Sequence, residues 1–152
     1  MSRFWKRVLS IGTLLSASCL IGSVLLQVFA RFALSSTPAW TEAASRVFFL
    51  YSVAFAAGLA YAEDGFVALD VWYRRFSPRI QRFLRSLGSL LTLGLFATVA
   101  IFSLRFLQLG HEEFSPSMGL RMSVIFFSVC LLAASVAGLA GKDLWNDFNA
   151  NK

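Results

Sequence analysis

The residues best suited to chemistry in this chain are adjacent: His111, Glu112 and Glu113. An imidazole beside two carboxylates is a set of groups that could bind a metal ion. His111 is the single histidine of the sequence, however, so the two-histidine HExxH pattern of zinc sites cannot form. The two cysteines, Cys19 and Cys130, have no CxxC or zinc-ligand spacing. We therefore predict no metal and no cofactor, and we interpret the three residues as part of a polar loop or of a docking surface.

The sequence also lacks the motifs of common enzyme classes. It contains no GxxxxGKS/T, GxSxG or GxGxxG pattern. Serines are frequent in its apolar runs, but those runs hold no histidine or lysine that could activate a serine hydroxyl. A single histidine also excludes ligation of a haem iron by two histidines. We therefore predict that the chain is neither an enzyme nor an electron carrier.

Long apolar runs make up most of the chain, and the helices that they form determine where the polar residues lie. Of all residues 57% are hydrophobic and 14% are charged, whereas globular domains are about half apolar and about a quarter charged. Four runs, one of them lengthened back to Trp40, reach the length of about 20 residues that crosses a bilayer. The first run is too long for the apolar region of a signal peptide, so we expect it to be retained. We predict an all-α membrane protein with one domain over residues 1–152 and transmembrane helices at about 8–30, 40–62, 84–105 and 122–141.

Lysine and arginine are distributed unequally between the two sides of these spans. Ten of the 14 lie on the side that holds both termini and the connection between the second and third spans. The positive-inside rule therefore predicts that both termini are cytoplasmic. The net charge of +6 comes from basic residues at the ends of apolar runs. That placement favours membrane lipid over nucleic acid as the partner.

The connection between the second and third spans carries the densest charge. Apolar residues at helical spacing predict a short amphipathic helix over about 66–76 on the cytoplasmic membrane surface. Ser77 followed by Pro78 predicts that the next helix begins there. We predict that the arginines and tryptophans on this side anchor the chain at the membrane surface: Arg74, Arg75, Arg79, Arg82, Arg85, Trp5, Trp72 and Trp145.

The uncharged cores of these spans, residues 8–30, 47–62, 86–104 and 122–141, contain no Asp, Glu, Lys, Arg or His, and Gln27 is their one carboxamide. Ion-coupled carriers usually hold an ionisable group inside the membrane, so we expect no transport site in this chain. A stand-alone small four-helix membrane transporter is the alternative, but the multidrug exporters of that type have a Glu in the first helix, which is missing here. Several small residues four apart favour close helix packing: Ser18 and Gly22, Ala54 and Gly58, Ala134 and Gly138, Ala137 and Gly141.

Charged residues on the other side form two groups. Glu42 and Arg46 have the acid-first spacing of an ion pair on one helix, although Glu42 could also pair with Arg31 across helices. We interpret this ion pair as structural. If it holds helices together, reversing both charges restores the assembly that Glu42→Arg alone disrupts. The remaining residues are candidates for docking a partner: Arg31, Arg105, His111, Glu112 and Glu113.

The segment PAWTEAASRVFFLYSVAFAAGLAYAEDGFVALDVWYRRFSP resembles the small membrane subunit of tripartite ATP-independent periplasmic (TRAP) transporters, the DctQ-like family. The matching residues are Trp40, Glu42, Arg46, Gly65 and Asp70. Phe66 stands where the family commonly has His. In the later loop, Ser115-Pro116 and Gly119 match the family, whereas Arg121 replaces its usual proline.

This resemblance implies a three-component importer of the bacterial inner membrane. In that family a periplasmic binding protein captures an organic acid, typically a carboxylate or a sialic acid. A large membrane subunit holds the substrate and sodium sites and performs ion-driven symport. The small subunit packs beside the large one as a scaffold and presents part of the docking surface for the binding protein.

Overall fold

A computed structural model describes residues 3–33, 39–62 and 77–149 of the chain. Each described helix contains a stretch long and apolar enough to cross a membrane. The predicted all-α fold with four spans is thereby confirmed, whereas the predicted amphipathic helix over 66–76 lies outside the described residues. The helices are α1 (Arg3–Ala33), α2 (Ala39–Ala62), α3 (Pro78–Leu109) and α4 (Met122–Asn149).

The helices are longer than the apolar runs from which they were predicted. α1 has 31 residues and α3 has 32, which corresponds to roughly 46–48 Å of helix. A hydrocarbon core is about 30 Å thick. Both helices therefore tilt or continue into the headgroup regions, where their terminal polar residues remain solvated.

The start of α3 agrees with the sequence prediction. Ser77 is the N-cap, with an extended backbone (φ −61°, ψ 154°), and Pro78 occupies the first turn. The Ser77 carbonyl accepts a hydrogen bond from the Gln81 amide at 3.0 Å, while the Ser77 hydroxyl makes no capping bond. Proline suits the first turn because it has no N–H group, and an N–H group there would lack a carbonyl partner within the helix. Pro78 therefore marks the start of α3 without a capping bond from the Ser77 side chain. Arg79, Arg82 and Arg85 lie in the first turns of α3.

The helices form one open layer in the order α1, α2, α4, α3. Extensive contacts join α1 to α2, α2 to α4 and α4 to α3. Tyr51 of α2 bonds to Val124 of α4, and Gly58 lies against Ser135 further along both helices, so α2 and α4 run parallel. α1 and α3 are the edges of the layer. The most apolar stretch is 33% buried in α4, 17% in both α1 and α2, and 11% in α3, so α4 is the most enclosed helix and α3 the least.

Small residues form the seams between the helices. The buried apolar residues are mostly alanines, and Thr41 and Ser128 are the largest side chains that are fully buried. A Cβ added to Gly58 would lie 2.9 Å from the Ser135 hydroxyl oxygen, and one added to Gly12 would lie 2.8 Å from the Phe55 ring. Backbones therefore approach closely at these seams, as expected where lipid removes the hydrophobic advantage of burying large side chains.

Large apolar side chains point away from the chain on both edge helices. Leu15 and Phe29 of α1 are 66% and 69% exposed, and Leu91 and Leu95 of α3 are 65% and 62% exposed. Soluble monomers rarely expose apolar patches of this extent. Lipid tails or another membrane protein must cover these faces.

Candidate functional site

The polar residues predicted to dock a partner gather at one end of the layer, here called the hairpin end. It comprises the last turn of α1, the first turns of α2, the last two turns of α3 and residues 110–121 between α3 and α4. Residues 113–122 form a tight loop, here called the hairpin, which is closed by one isolated antiparallel bridge between Phe114 and Arg121. The Ser115 amide donates to the Leu120 carbonyl at 2.7 Å, and Gly119 has a φ of +62°. That conformation favours glycine, and it closes the turn between the paired residues.

The hairpin rests directly on the helices. The Ser123 amide donates to the Gly110 carbonyl at 2.9 Å. A Cβ added to Gly110 would lie 2.5 Å from the Phe126 ring and 2.8 Å from the Ser123 amide nitrogen. The Phe106 and Phe126 rings pack with centroids 5.9 Å apart. The loop is therefore a fixed extension of the α3–α4 pair and presents a defined polar surface.

His111 is held by a partner that the sequence analysis did not identify. Arg121 Nη1 lies 2.7 Å from His111 Nε2. Because a guanidinium can only donate, the imidazole nitrogen is the acceptor. The same guanidinium stacks on the Phe114 ring, with its carbon 5.8 Å from the ring centroid. His111, Arg121 and Phe114 thus form a small cluster that stabilises the hairpin.

The other docking candidates are less tightly held. Glu112 and Glu113 are exposed, and their carboxylates have no ion-pair partner among the described residues. The Arg105 guanidinium lies over the Phe102 ring at 6.0 Å from the centroid. Arg31 is exposed in the last turn of α1. The described contacts do not join Arg31 or Arg105 to the acidic pair.

Glu42 and Arg46 pair within α2. Arg46 Nη2 donates to Glu42 Oε1, and the two side chains are 60% (Glu42) and 76% (Arg46) exposed. Of the two partners open to Glu42 in the sequence, the structure has Arg46 and not Arg31. Phe49 and Val53 continue the same exposed stripe of α2. The pair therefore faces outward, and a role in holding this chain to another stays a prediction.

The opposite end of the layer carries the predicted membrane anchors. Trp5 and Trp145 are 44% and 70% exposed there, as expected for residues of an interfacial aromatic belt. Trp72, Arg74 and Arg75 lie outside the described residues. Anchoring by this group of residues stays a prediction.

The described residues in the cores of the spans are uncharged. Among the described residues no three His, Cys, Asp or Glu side chains cluster as metal ligands. Several hydroxyls donate to carbonyls of their own helix, as Ser16 does to Gly12 at 2.6 Å and Ser128 to Ile125 at 2.6 Å. Such hydroxyls are already satisfied, so they offer little to a polar substrate at mid-membrane.

Two further hydrogen bonds cross between helices. The Ser23 and Ser45 hydroxyls lie 3.2 Å apart between α1 and α2. The Tyr51 hydroxyl donates to the Val124 carbonyl at 2.8 Å between α2 and α4. Polar contacts inside the layer therefore serve helix association.

These features define a multi-pass membrane protein whose charged groups lie at the ends of its spans. The family model described as "Tripartite ATP-independent periplasmic transporters, DctQ component" matches residues 20–150. The chain belongs to this DctQ family and is the small membrane subunit of a TRAP transporter, which confirms the resemblance read from its motifs. The family is a transporter component and not an enzyme family. No curated protein sequence gives a match.

Proposed function

We propose that this chain is the scaffold of a TRAP importer in the bacterial inner membrane. It packs against the large membrane subunit and contributes to docking of the periplasmic binding protein during ion-driven uptake of an organic acid, such as a carboxylate or a sialic acid. The observation that carries this proposal is the combination of span cores without Asp, Glu, Lys, Arg or His (residues 8–30, 47–62, 86–104 and 122–141) and extensive apolar surface on both edge helices.

The absence of charged groups from the spans argues against a carrier. An organic anion and a coupling cation each need fixed charges or convergent polar groups at the site that binds them. Here the apolar runs supply only hydroxyls, one carboxamide and two cysteines, and several of the hydroxyls donate to their own helix. The small subunit can therefore support transport without itself binding the transported substrate.

The open layer supports a packing role. A closed four-helix bundle would hide one face of every helix, whereas here α1 and α3 each contact a single neighbour extensively. A large subunit that packs against α1 or α3 can bury a broad apolar surface without disrupting the existing contacts between the helices.

The hairpin end supports the docking role. Its loop is pinned to α4 through Gly110 and Ser123, so little conformational freedom is lost when a partner binds. With cytoplasmic termini, as the distribution of Lys and Arg predicts, this end faces the periplasm. Glu112 and Glu113 then offer free carboxylates to the binding protein, together with Arg31, Arg105 and His111.

Affinity purification of the tagged chain from membranes tests the scaffold role. We expect the large TRAP subunit to co-purify at an equal molar amount in mild detergent. Purification of the chain alone, together with unimpaired uptake in cells that lack it, would contradict the proposal. Replacing Glu112 and Glu113 with lysine tests docking separately: co-purification should persist while uptake falls. The control is the charge reversal Lys142→Glu, at an exposed position near the opposite end of α4.

A further inference from the structure

A shallow groove lies between α3 and α4, close to the hairpin end. Its volume is about 210 Å³, and it is open on the side away from the chain. The six lining residues are Thr98, Val99, Phe102, Ser103, Phe106 and Val129. On α3 these residues extend over nine positions, from Thr98 to Phe106, or about 12 Å along the helix axis. The groove is thus a narrow slot that runs along the membrane-spanning part of the pair.

The walls of the groove offer no free hydrogen-bond donor. The Thr98 hydroxyl donates to the Gly94 carbonyl at 2.8 Å, and the Ser103 hydroxyl donates to the Ala100 carbonyl at 2.8 Å. The remaining lining residues are Val and Phe. A polar ligand would lose its hydration here without compensation. The slot therefore fits an apolar chain.

A free cation lies at the hairpin end of this slot. The guanidinium of Arg105 is placed over the ring of Phe102, one of the lining residues. Arg105 is exposed and has no carboxylate partner among the described residues. It lies four residues before the end of the apolar stretch Ser86–Leu109, so its long side chain can reach the headgroup region. An arginine at this depth can bind a phosphate while its stem covers apolar surface.

From this arrangement we infer that the α3–α4 groove is a binding site for an anionic phospholipid. One acyl chain lies in the slot between α3 and α4, and the headgroup phosphate pairs with Arg105. We infer an anionic lipid because the guanidinium of Arg105 carries a full positive charge and has no carboxylate partner among the described residues. A lipid with a net charge of −1 would neutralise that charge. The lipid lies in the leaflet at the hairpin end.

The chain provides a matched control in Arg31. This arginine is exposed at the same end, on the last turn of the other edge helix, and it has no partner among the described residues. General attraction of anionic lipid to basic residues would act on Arg31 and Arg105 alike. At a specific site in the groove, lipid affinity would depend on Arg105 and not on Arg31.

Native mass spectrometry of the delipidated full-length chain, titrated with phosphatidylglycerol, tests the inference. We expect one tightly bound lipid, with about fivefold weaker affinity for Arg105→Ala, because an arginine near the surface contributes about 1 kcal/mol to such binding. Arg31→Ala should leave the affinity within twofold, and Arg105→Lys should retain most of it. Phosphatidylcholine should bind less tightly than phosphatidylglycerol.

A second variant tests the slot itself. Thr98→Phe fills the groove from an exposed position and leaves Arg105 in place, so it should weaken lipid binding while circular dichroism shows an unchanged helix content. Equal losses for Arg31→Ala and Arg105→Ala, or no loss for Thr98→Phe, would overturn the inference. So would Thr98→Phe weakening co-purification of the large subunit while lipid binding stays intact, because the slot would then hold a protein side chain.

Discussion

The seams of this protein and its outward faces are built from opposite kinds of residue. Where helices meet, the buried positions hold Gly, Ala and Ser, and Ala54, Ala133 and Ala140 are completely buried. On the edge helices, Leu and Phe side chains project outward. In water the large side chains would occupy the interior, since their burial drives folding there. In lipid that gain disappears, so close backbone approach holds the layer together and the large side chains are left for lipid or a partner.

Glycines show the same contrast at single positions. A Cβ added to Gly58 in a seam meets Ser135 of the neighbouring helix, while one added to Gly22 on the outward face of α1 meets nothing within 4 Å. Two residues of one type on comparable helices thus have different tolerance to change. Substitutions at close contacts between helices should therefore cost more stability than the same substitutions on outward faces.

The largest effect is expected for Gly110→Ala. Its φ of −69° suits any residue, so only space requires glycine here, and the obstacle includes the backbone nitrogen of Ser123 at 2.8 Å. Because backbone cannot rotate away, we expect a loss of about 2–3 kcal/mol in the free energy of unfolding, measured by SDS titration in mixed micelles. Gly88→Ala, with nothing within 4 Å, is the control and should change stability little. Equal stability of the two variants would refute the close contact.

A smaller loss is expected for Gly58→Ala. The obstacle is the Ser135 side chain, with Oγ at 2.9 Å and Cβ at 3.2 Å from the added carbon. Because that side chain can shift, we expect about 1–2 kcal/mol in the same titration. Removing the hydroxyl with Ser135→Ala in the same chain should recover part of the loss. Gly22→Ala should be nearly neutral, and a larger cost there than at Gly58 would reverse the assignment of seam and outward face.

Tyr51→Phe tests the hydrogen bond between the two parallel helices. It removes only the donor to the Val124 carbonyl. Hydrogen bonds between membrane helices contribute about 0.6 kcal/mol on average, so the expected loss of unfolding free energy is of that order. Ser18→Ala on the outward face of α1 is the control and should cost nothing measurable. A neutral Tyr51→Phe would indicate that the seam is held by packing alone.

The smallest effect on the isolated chain is expected at Glu42 and Arg46. Because the pair is exposed and lies within α2, Glu42→Arg should cost about 0.5 kcal/mol or less. Its effect on assembly should be larger, with less large subunit recovered on co-purification, and the double variant Glu42→Arg, Arg46→Glu should restore the yield. Failure of that rescue would mean that the pair acts on the partner through one specific charge.

The sequence was sufficient to predict the four spans and the start of α3. Uncharged runs of about 20 residues have few alternatives to a membrane helix, and Pro78 after Ser77 specifies where one begins. The order of helices in the layer could not be predicted from spacing. The pairs Ala54/Gly58 and Ala134/Gly138 have the same small-residue spacing, yet the first is buried and the second is exposed.

The hairpin end was predicted only in part. The predicted docking residues gather at one end of the layer, and their docking role stays a prediction, whereas the partner of His111 was missed. Arg121 is ten residues away, and it reaches the ring only because Phe114 and Arg121 pair across the hairpin. The sequence Ser115-Pro116-Ser117-Met118-Gly119 contains the turn residues that could have indicated a hairpin. The register that brings two particular side chains together depends on the folded turn.

Uptake by proteoliposomes tests the central claim most directly. Vesicles that contain this chain alone should show no accumulation of the organic acid captured by the binding protein, with or without an ion gradient. Vesicles that also contain the large subunit should accumulate it when the binding protein and the gradient are present. Accumulation by the chain alone would contradict the claim that this subunit supports transport without holding a substrate site.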